Sequence, residues 1–424
     1  MNSMQNDSID VVVVGAGMIV LDQILPSLYQ LQREGRIGQI TLAARRSGPL
    51  RELAEHPALV EAFPKQKFIA RPSLESPLDQ IYSDSFQGVI AEQSPHGLVV
   101  VAVPDQLHHV VITEALQHDQ HVLTVKPFVL EHAQSIELEK LAREKGLFVG
   151  VEYHKRFDRR SLDARRQYRA GRLGEFKCGE AKLIEPWSYR HSNFQNWFQC
   201  EHTDPFTYIG CHYADLVYFI TGLRPVEVSV RGVKGEFPNG KDGFMWSAGV
   251  VRFEGGGLLS VINGLGYPDK GAGSNDQAMC LYFEGGDSGA ILKHNDQFRG
   301  VTQGFIDDGT NEPPFHFVNP DYFRLVPWDG EGLRPVGYGF DSIEANVMAA
   351  IRVRTASASA GAQQSDGLAQ RQSILKQIDD RGLIATPANS SVNELLVEAG
   401  RMSMLHDGQA AAIDYEPPGV RLRG

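Results

Sequence analysis

The sequence predicts an α/β protein, with a doubly wound parallel sheet over residues 1–153 and a second, α+β domain over residues 154–424. Three observations carry that reading. Short apolar strands alternate with helices up to residue 151, the rhythm of a parallel sheet joined by right-handed crossovers. A glycine turn, Gly15-Ala16-Gly17, follows directly on a run of four valines. After about residue 153 the pattern changes to longer segments of period two, which point to an antiparallel or mixed sheet.

Residues 9–14, IDVVVV, read as a strand buried on both faces, because β-branched side chains without polar alternation suit a central parallel strand. Residues 21–34 are expected to be helical, with Leu21, Ile24, Leu25, Leu28 and Leu31 on one side. Strands follow at 40–44, 97–103, 122–125 and 148–151, and helices at 108–118 and 131–145. In the second domain, helices are expected at 161–170, 206–220, 342–356 and 391–405. Strands are expected there at 226–233, 244–253, 257–263 and 279–283. Residues 264–277 read as a glycine-rich loop and residues 357–366 as a small-residue, flexible excursion.

At 424 residues the chain is long enough for two cores, and 42% hydrophobic with 22% charged residues is the balance of a soluble globular protein. The formal net charge of −11 argues against a nucleic-acid partner, which would call for a basic excess. A single small anion needs only one or two arginines. Cys178, Cys200, Cys211 and Cys280 show no C-x-x-C spacing, so a reduced, cytoplasmic chain without a metal site is expected. The N-terminal MNSMQNDSID lacks a basic start, and the apolar run at 11–14 is too short to span a bilayer. No membrane association is expected.

The glycine turn sits where a dinucleotide fingerprint needs it, after the first strand and before a helix. Gly15 permits the tight turn, and Gly17 lets the backbone approach a pyrophosphate resting on the helix start at Met18 and Ile19. The third fingerprint position, usually Gly or Ala, is Val20, which sets this helix slightly further from the sheet. The second strand ends in Ala43-Ala44-Arg45-Arg46-Ser47, with no acid for a ribose 2′-hydroxyl. Guanidinium groups and a hydroxyl suit a 2′-phosphate, so NADP(H) is preferred over NAD(H) as the expected cofactor.

Residues 99–127 carry Pro104, His108 and Lys126-Pro127 at the positions of a P-x-x-x-H turn and an E-K-P motif, with Val125 in place of the glutamate. The chain there resembles the Gfo/Idh/MocA oxidoreductase family. The likeness continues through residues 149–157, through Gly171, Gly174, Glu175 and Phe176, and through residues 209–215. Gly222, Pro225, Asp242 and residues 284–289 match later landmarks, so the resemblance spans about residues 9–290. It implies a Rossmann domain followed by an α/β domain with an open mixed sheet, the substrate lying between that sheet and the nicotinamide. It implies a homo-oligomer, a dimer or tetramer. Lys126 corresponds to the family's active-site lysine and His212 to its acid/base histidine, while the family's aspartate is Tyr208 here.

The residues themselves suit those roles. An imidazole can take a hydroxyl proton as hydride leaves and return it in the reverse direction, which makes His212 the candidate acid/base. Lys126 ends a parallel strand, where its ammonium can stabilise a developing alkoxide. Asp204-Pro205 marks a helix start, after which Tyr208 and His212 share a face. Tyr208 is either a phenolic donor to the substrate or a space-filler beside a histidine oriented by Asp204.

Residues 187–200, WSYRHSNFQNWFQC, offer aromatic faces and amides suited to a sugar, with His191, Asn193, Gln195, Asn196 and Trp197 as candidates. His154, Arg156 and Asp215 are further substrate-side candidates, Arg156 equally an ion-pair residue. His108 either contacts cofactor or caps its helix. The reading is thus an NADP(H)-preferring oxidoreductase acting on a sugar, cyclitol or derivative. The alternatives are a lyase or glycosidase using tightly bound cofactor, or a non-catalytic dinucleotide-binding relative.

Overall fold

The computed structural model describes residues 8–271, 275–285, 288–295, 322–356 and 364–424. It divides into two compact units. The first draws on Met1–Val129, Ala133–His154 and Phe323–Asn389, the second on Leu130–His132, Lys155–Tyr322 and Ser390–Gly424.

In the first unit the predicted alternation forms β1 (Ile9–Val14), β2 (Ile37–Ala43), β3 (Ile69–Arg71), β4 (Leu98–Val101), β5 (His121–Val125) and β6 (Val149–Glu152). All pairs are parallel, and the sheet order is β3-β2-β1-β4-β5-β6. The order therefore reverses between β1 and β4, and a crevice at the carboxyl ends is the usual ligand position in such sheets. The helix after the glycine turn opens as a π-turn, Val20–Ile24, and becomes α over Leu25–Arg33. Val20 is fully buried, so the larger third fingerprint residue sits in a locally wider turn.

The expected boundary, 1–153 against 154–424, differs from the packing. The helix Tyr338–Ala356 buries Phe340, Ile343, Val347 and Ile351 in one cluster with Ile9, Val11, Val13 and Leu28. A parallel sheet needs cover on both faces, and a segment from late in the chain supplies part of it. The hairpin Arg324–Pro327 with Leu333–Val336 belongs here too. Arg33 donates to the Leu333 and Ala62 carbonyls at 2.9 and 2.8 Å, and lies over the rings of Phe63 and Trp328.

The second unit is built on β7 (Glu175–Pro186), β8 (Pro225–Glu236), β9 (Asp242–Phe253), β10 (Leu258–Tyr267), β11 (Asp276–Gly285) and β12 (Ser288–Asn295). A hairpin, Ala411–Tyr415 with Pro418–Leu422, extends it to eight strands in the order β12-β11-β7-β10-β9-β8-hairpin. Only β7 and β10 pair in parallel, so the sheet is mixed and largely antiparallel, as the pattern predicts. The helices Cys211–Thr221 and Val392–Leu405 cover one face, packing Leu216, Val217, Leu395 and Leu396 against Val228, Val251, Leu259 and Leu281. The alternate residues Val250, Ile262, Tyr282 and Ile291 are exposed, so the other face is open among the described residues.

The expected loop at 264–277 is shorter than predicted, because β10 runs to Tyr267 and β11 begins at Asp276. Residues 272–274 lie outside the described residues, as do 357–363 of the expected flexible excursion. Residues 364–366 open the helix Gln364–Arg381.

Candidate functional site

Gly15 is the residue its turn requires. Its φ is +120°, and a Cβ there would lie 2.0 Å from the Ala102 carbonyl oxygen. The close approach follows from the ladder on both sides, where Gly15 N–H donates to Ala43 at 2.8 Å and Ala102 N–H to Val14 at 2.9 Å. Gly17 differs, since a Cβ there would meet nothing within 4 Å. Protein packing does not demand that glycine, whereas a phosphate approaching the backbone would. The helix starts beside it, with Val20 N–H donating to the Gly17 carbonyl at 3.0 Å and Met18 exposed. The first N–H groups of such a helix have no intrahelical partner and favour an anion. The residues therefore fit a dinucleotide pyrophosphate.

At the end of β2, Arg45 and Arg46 are exposed as a phosphate site needs. Ser47 corrects the expectation. It is fully buried, and its hydroxyl donates to the Ser76 carbonyl at 2.8 Å, holding the following loop rather than facing a ligand. His108 is corrected likewise. It is fully buried, its Nδ1 lies 2.8 Å from the Pro127 carbonyl and its Nε2 3.0 Å from that of Val103, so both nitrogens join backbone segments instead of meeting cofactor. Pro104 leads the short turn Asp105–Leu107.

Lys126 is half-buried just beyond β5, before Pro127. The register Val125↔Glu152 sets Lys126 and His154 at neighbouring strand ends. His154 stacks on Tyr338 with centroids 5.7 Å apart, and its Nδ1 lies 3.3 Å from the buried Glu152 carboxylate. That carboxylate also accepts from Gln23 Nε2 at 2.7 Å. Sequence reasoning missed Gln23 and Glu152; a carboxylate ending an otherwise apolar strand is the signal that was there to use.

In the second unit the expected helix at 206–220 begins as a π-turn, Phe206–Gly210, and continues as α over Cys211–Thr221. The buried Asp204 caps it, accepting from Thr207 N–H and Thr207 Oγ1, both at 2.9 Å. Arg401 lies 3.5 Å away, and burial pushes the Asp204 carboxyl up. Its bonds are thus at the helix start, not at a histidine. His212 is buried on the following turn. Tyr208 is half-buried in an aromatic cluster, edge-on to Phe194, Trp197 and Phe198 at 5.3, 5.6 and 5.7 Å. Trp197 and Tyr208 are therefore brought together. His191 and Asn196 are exposed nearby in sequence, the Asn196 amide donating to Asn193 Oδ1 at 2.9 Å.

Arg156 and Asp215 are corrected as substrate residues. Arg156 Nε donates to Asp215 Oδ2 at 2.8 Å, NH2 to Oδ1, and Asn393 adds a bond to Oδ1 at 2.7 Å. Both are buried, and a bidentate pair of this kind satisfies itself, joining the Cys211–Thr221 helix to the segment after β6. A second buried polar group was also missed. Lys155 donates to Gln277 at 2.8 Å, and His294 Nε2 lies 2.8 Å from Asp158 Oδ2. Burial tends to raise the Asp158 carboxyl, but His294 and Arg160 outweigh it and hold it well below the usual carboxylate range. Among the described residues no cluster of metal-ligating side chains occurs, and no helix is long and apolar enough to cross a membrane.

The sheet order and glycine turn define the first unit as a dinucleotide-binding Rossmann domain. Residues 9–153, about a third of the chain, match the Gfo/Idh/MocA model, described as an oxidoreductase family with an NAD-binding Rossmann fold. An uncharacterized oxidoreductase of Schizosaccharomyces pombe is 34% identical over 99 residues, 23% of this chain and 27% of that protein. The chain thus aligns with about a quarter of that relative's length. Among solved structures, GenD2 from gentamicin A biosynthesis in complex with NAD superposes with TM-score 0.62 at 14% identity, covering 96% of this chain and 97% of that one. Myo-inositol 2-dehydrogenase from Lactobacillus plantarum superposes with TM-score 0.58 at 13% identity, covering 96% and 100%. At such identities these likenesses show the fold.

Proposed function

We propose that the protein is an NADP(H)-preferring oxidoreductase moving a hydride between the nicotinamide and a hydroxyl-bearing or carbonyl carbon of a sugar, cyclitol or derivative. The observation that carries this reading is the glycine turn at the β1/β4 reversal, where Gly15 is demanded by packing and Gly17 only by a ligand. The family match supports the reaction class, and the neighbours named as inositol dehydrogenases support a polyol. Arg45 and Arg46, with no acid beside them at the end of β2, support the 2′-phosphate.

When bound, the nicotinamide supplies the hydride acceptor. The chain's own groups manage the proton and the charge. Lys126 Nζ hydrogen-bonds the reacting oxygen and offsets its growing negative charge. His212 takes the hydroxyl proton in oxidation and returns it in reduction. Tyr208 and Trp197 present their rings and the phenol to the substrate, with His191, Asn196 and His154 contributing polar contacts. The exposed apolar residues of the open sheet face support a homo-oligomer, and four cysteines without a disulfide among the described residues support a reducing, cytoplasmic compartment.

The test is a panel of sugars and cyclitols with both dinucleotides, followed at the reduced nicotinamide absorbance band. Reduction of NADP⁺ by one substrate group, faster than of NAD⁺, is expected. Substrate turnover with co-purified cofactor and no net absorbance change would replace this reading with a lyase or glycosidase cycle.

A further inference from the structure

Arg71 ends β3, the strand beside β2, in register with Ala43. Ala44 N–H donates to the Arg71 carbonyl at 2.9 Å, so the chain's exit from β2 and the end of β3 are tied together. Arg45 and Arg46 follow at once. All three side chains are exposed, and among the described residues no carboxylate lies within ion-pair distance of any of them. Arg71 NH1 reaches only its neighbour's carbonyl, that of Ala70, at 3.4 Å.

Some exposed arginines elsewhere meet acids, as in Arg224 with Glu254 at 2.6 Å and Arg421 with Asp414 at 2.9 Å, and these three meet none among the described residues. The loop after β3 does not need the three either. Its carbonyls at Leu74 and Ser76 are held by Arg51, with Ser47 also donating to Ser76. Three guanidinium groups gathered at two adjacent strand ends repel one another unless an anion lies among them. A phosphate monoester has enough oxygens to bond several guanidinium forks at once.

We infer that Arg71 is a further specificity-determining residue, completing with Arg45 and Arg46 a three-arginine site for the 2′-phosphate of the adenosine ribose. This inference rests on the NADP(H) reading above. It places one of the three guanidinium groups on β3, a strand the dinucleotide fingerprint does not include.

The experiment is calorimetric titration of the full chain with adenosine 2′,5′-bisphosphate and with AMP, in wild type, Arg71→Ala, Arg71→Gln and Arg45→Ala. Wild type is expected to bind the bisphosphate at least tenfold more tightly than AMP. Arg45→Ala and both Arg71 variants are each expected to lose roughly tenfold on the bisphosphate and less than about twofold on AMP, with melting temperature unchanged. Should wild type bind the two equally, the NADP(H) reading fails and takes this inference with it. Should wild type and Arg45→Ala behave as expected while Arg71→Ala alters neither or both equally, the role of Arg71 is overturned and the NADP(H) reading stands.

Discussion

At the scale of single residues, the two glycines of the turn differ in what a side chain would meet there: a carbonyl at Gly15, open space at Gly17. Gly15→Ala puts a methyl against a carbonyl and an L side chain at φ +120°. It should destabilise the protein by at least about 2 kcal/mol, read as a fall in melting temperature. Tyr208→Phe keeps the ring packing and removes only the phenol. If that hydroxyl shares a proton with substrate, turnover falls roughly 10²-fold with stability unchanged. Turnover equal to wild type would assign Tyr208 to packing. Arg156→Ala leaves the Asp215 carboxylate buried with Asn393 and should cost about 3–5 kcal/mol, seen by denaturant unfolding. Gly15 was legible because its meaning is local: a tight turn directly after a strand. The partners of Ser47 and Arg156, and the Pro127 carbonyl that His108 meets, were not, since each lies well beyond the local sequence and nothing in the flanking residues announces it.

At the scale of elements, burial of one histidine links two strands and makes stability pH-dependent. His121 begins β5, and its Nδ1 accepts from the Phe148 N–H just before β6 at 3.0 Å. Burial above all, then the nearby charges of His96, Arg371 and Arg354, push its pKa down from 6.5 to about 3. The unfolded chain takes up a proton below about pH 6.5, and the native one resists until about pH 3. This contribution is therefore intact above pH 6.5 and is lost as pH falls through that window, at about 1.4 kcal/mol per unit. By pH 5 the loss is about 2 kcal/mol. Melting curves from pH 8 to 4 should show the slope in wild type and a shallower one in His121→Asn, whose amide oxygen preserves the bond to Phe148. Element type was legible where periodicity was strong: the valine run matched β1, and the apolar pattern at 279–283 lay within β11. The twelve-residue β7 was not seen, because Glu175, Lys177, Glu180 and Lys182 make a strand with one solvated face look polar. Nor were the two π-turns, which a 3.6-residue period cannot reveal.

For the molecule as a whole, the unexpected feature is that residues 323–389 pack into the first unit. Periodicity identifies the 338–356 helix but says nothing about which core receives it. A fragment of residues 1–153 should thus expose Ile9, Val11, Val13 and Leu28, which the intact chain covers with Phe340, Ile343 and Val347. Expressed alone, it should bind a hydrophobic dye and lack a cooperative melting transition; a sharp transition would show that the late helices are dispensable to that core.

Direct titration of Gly17→Val with NADPH, beside a melting curve for the same variant, is the measurement on which the dinucleotide site stands. The open space around Gly17 predicts unchanged melting and an affinity reduced at least tenfold, because the added side chain occupies the path of the pyrophosphate. Wild-type affinity in a normally folded variant would contradict the account.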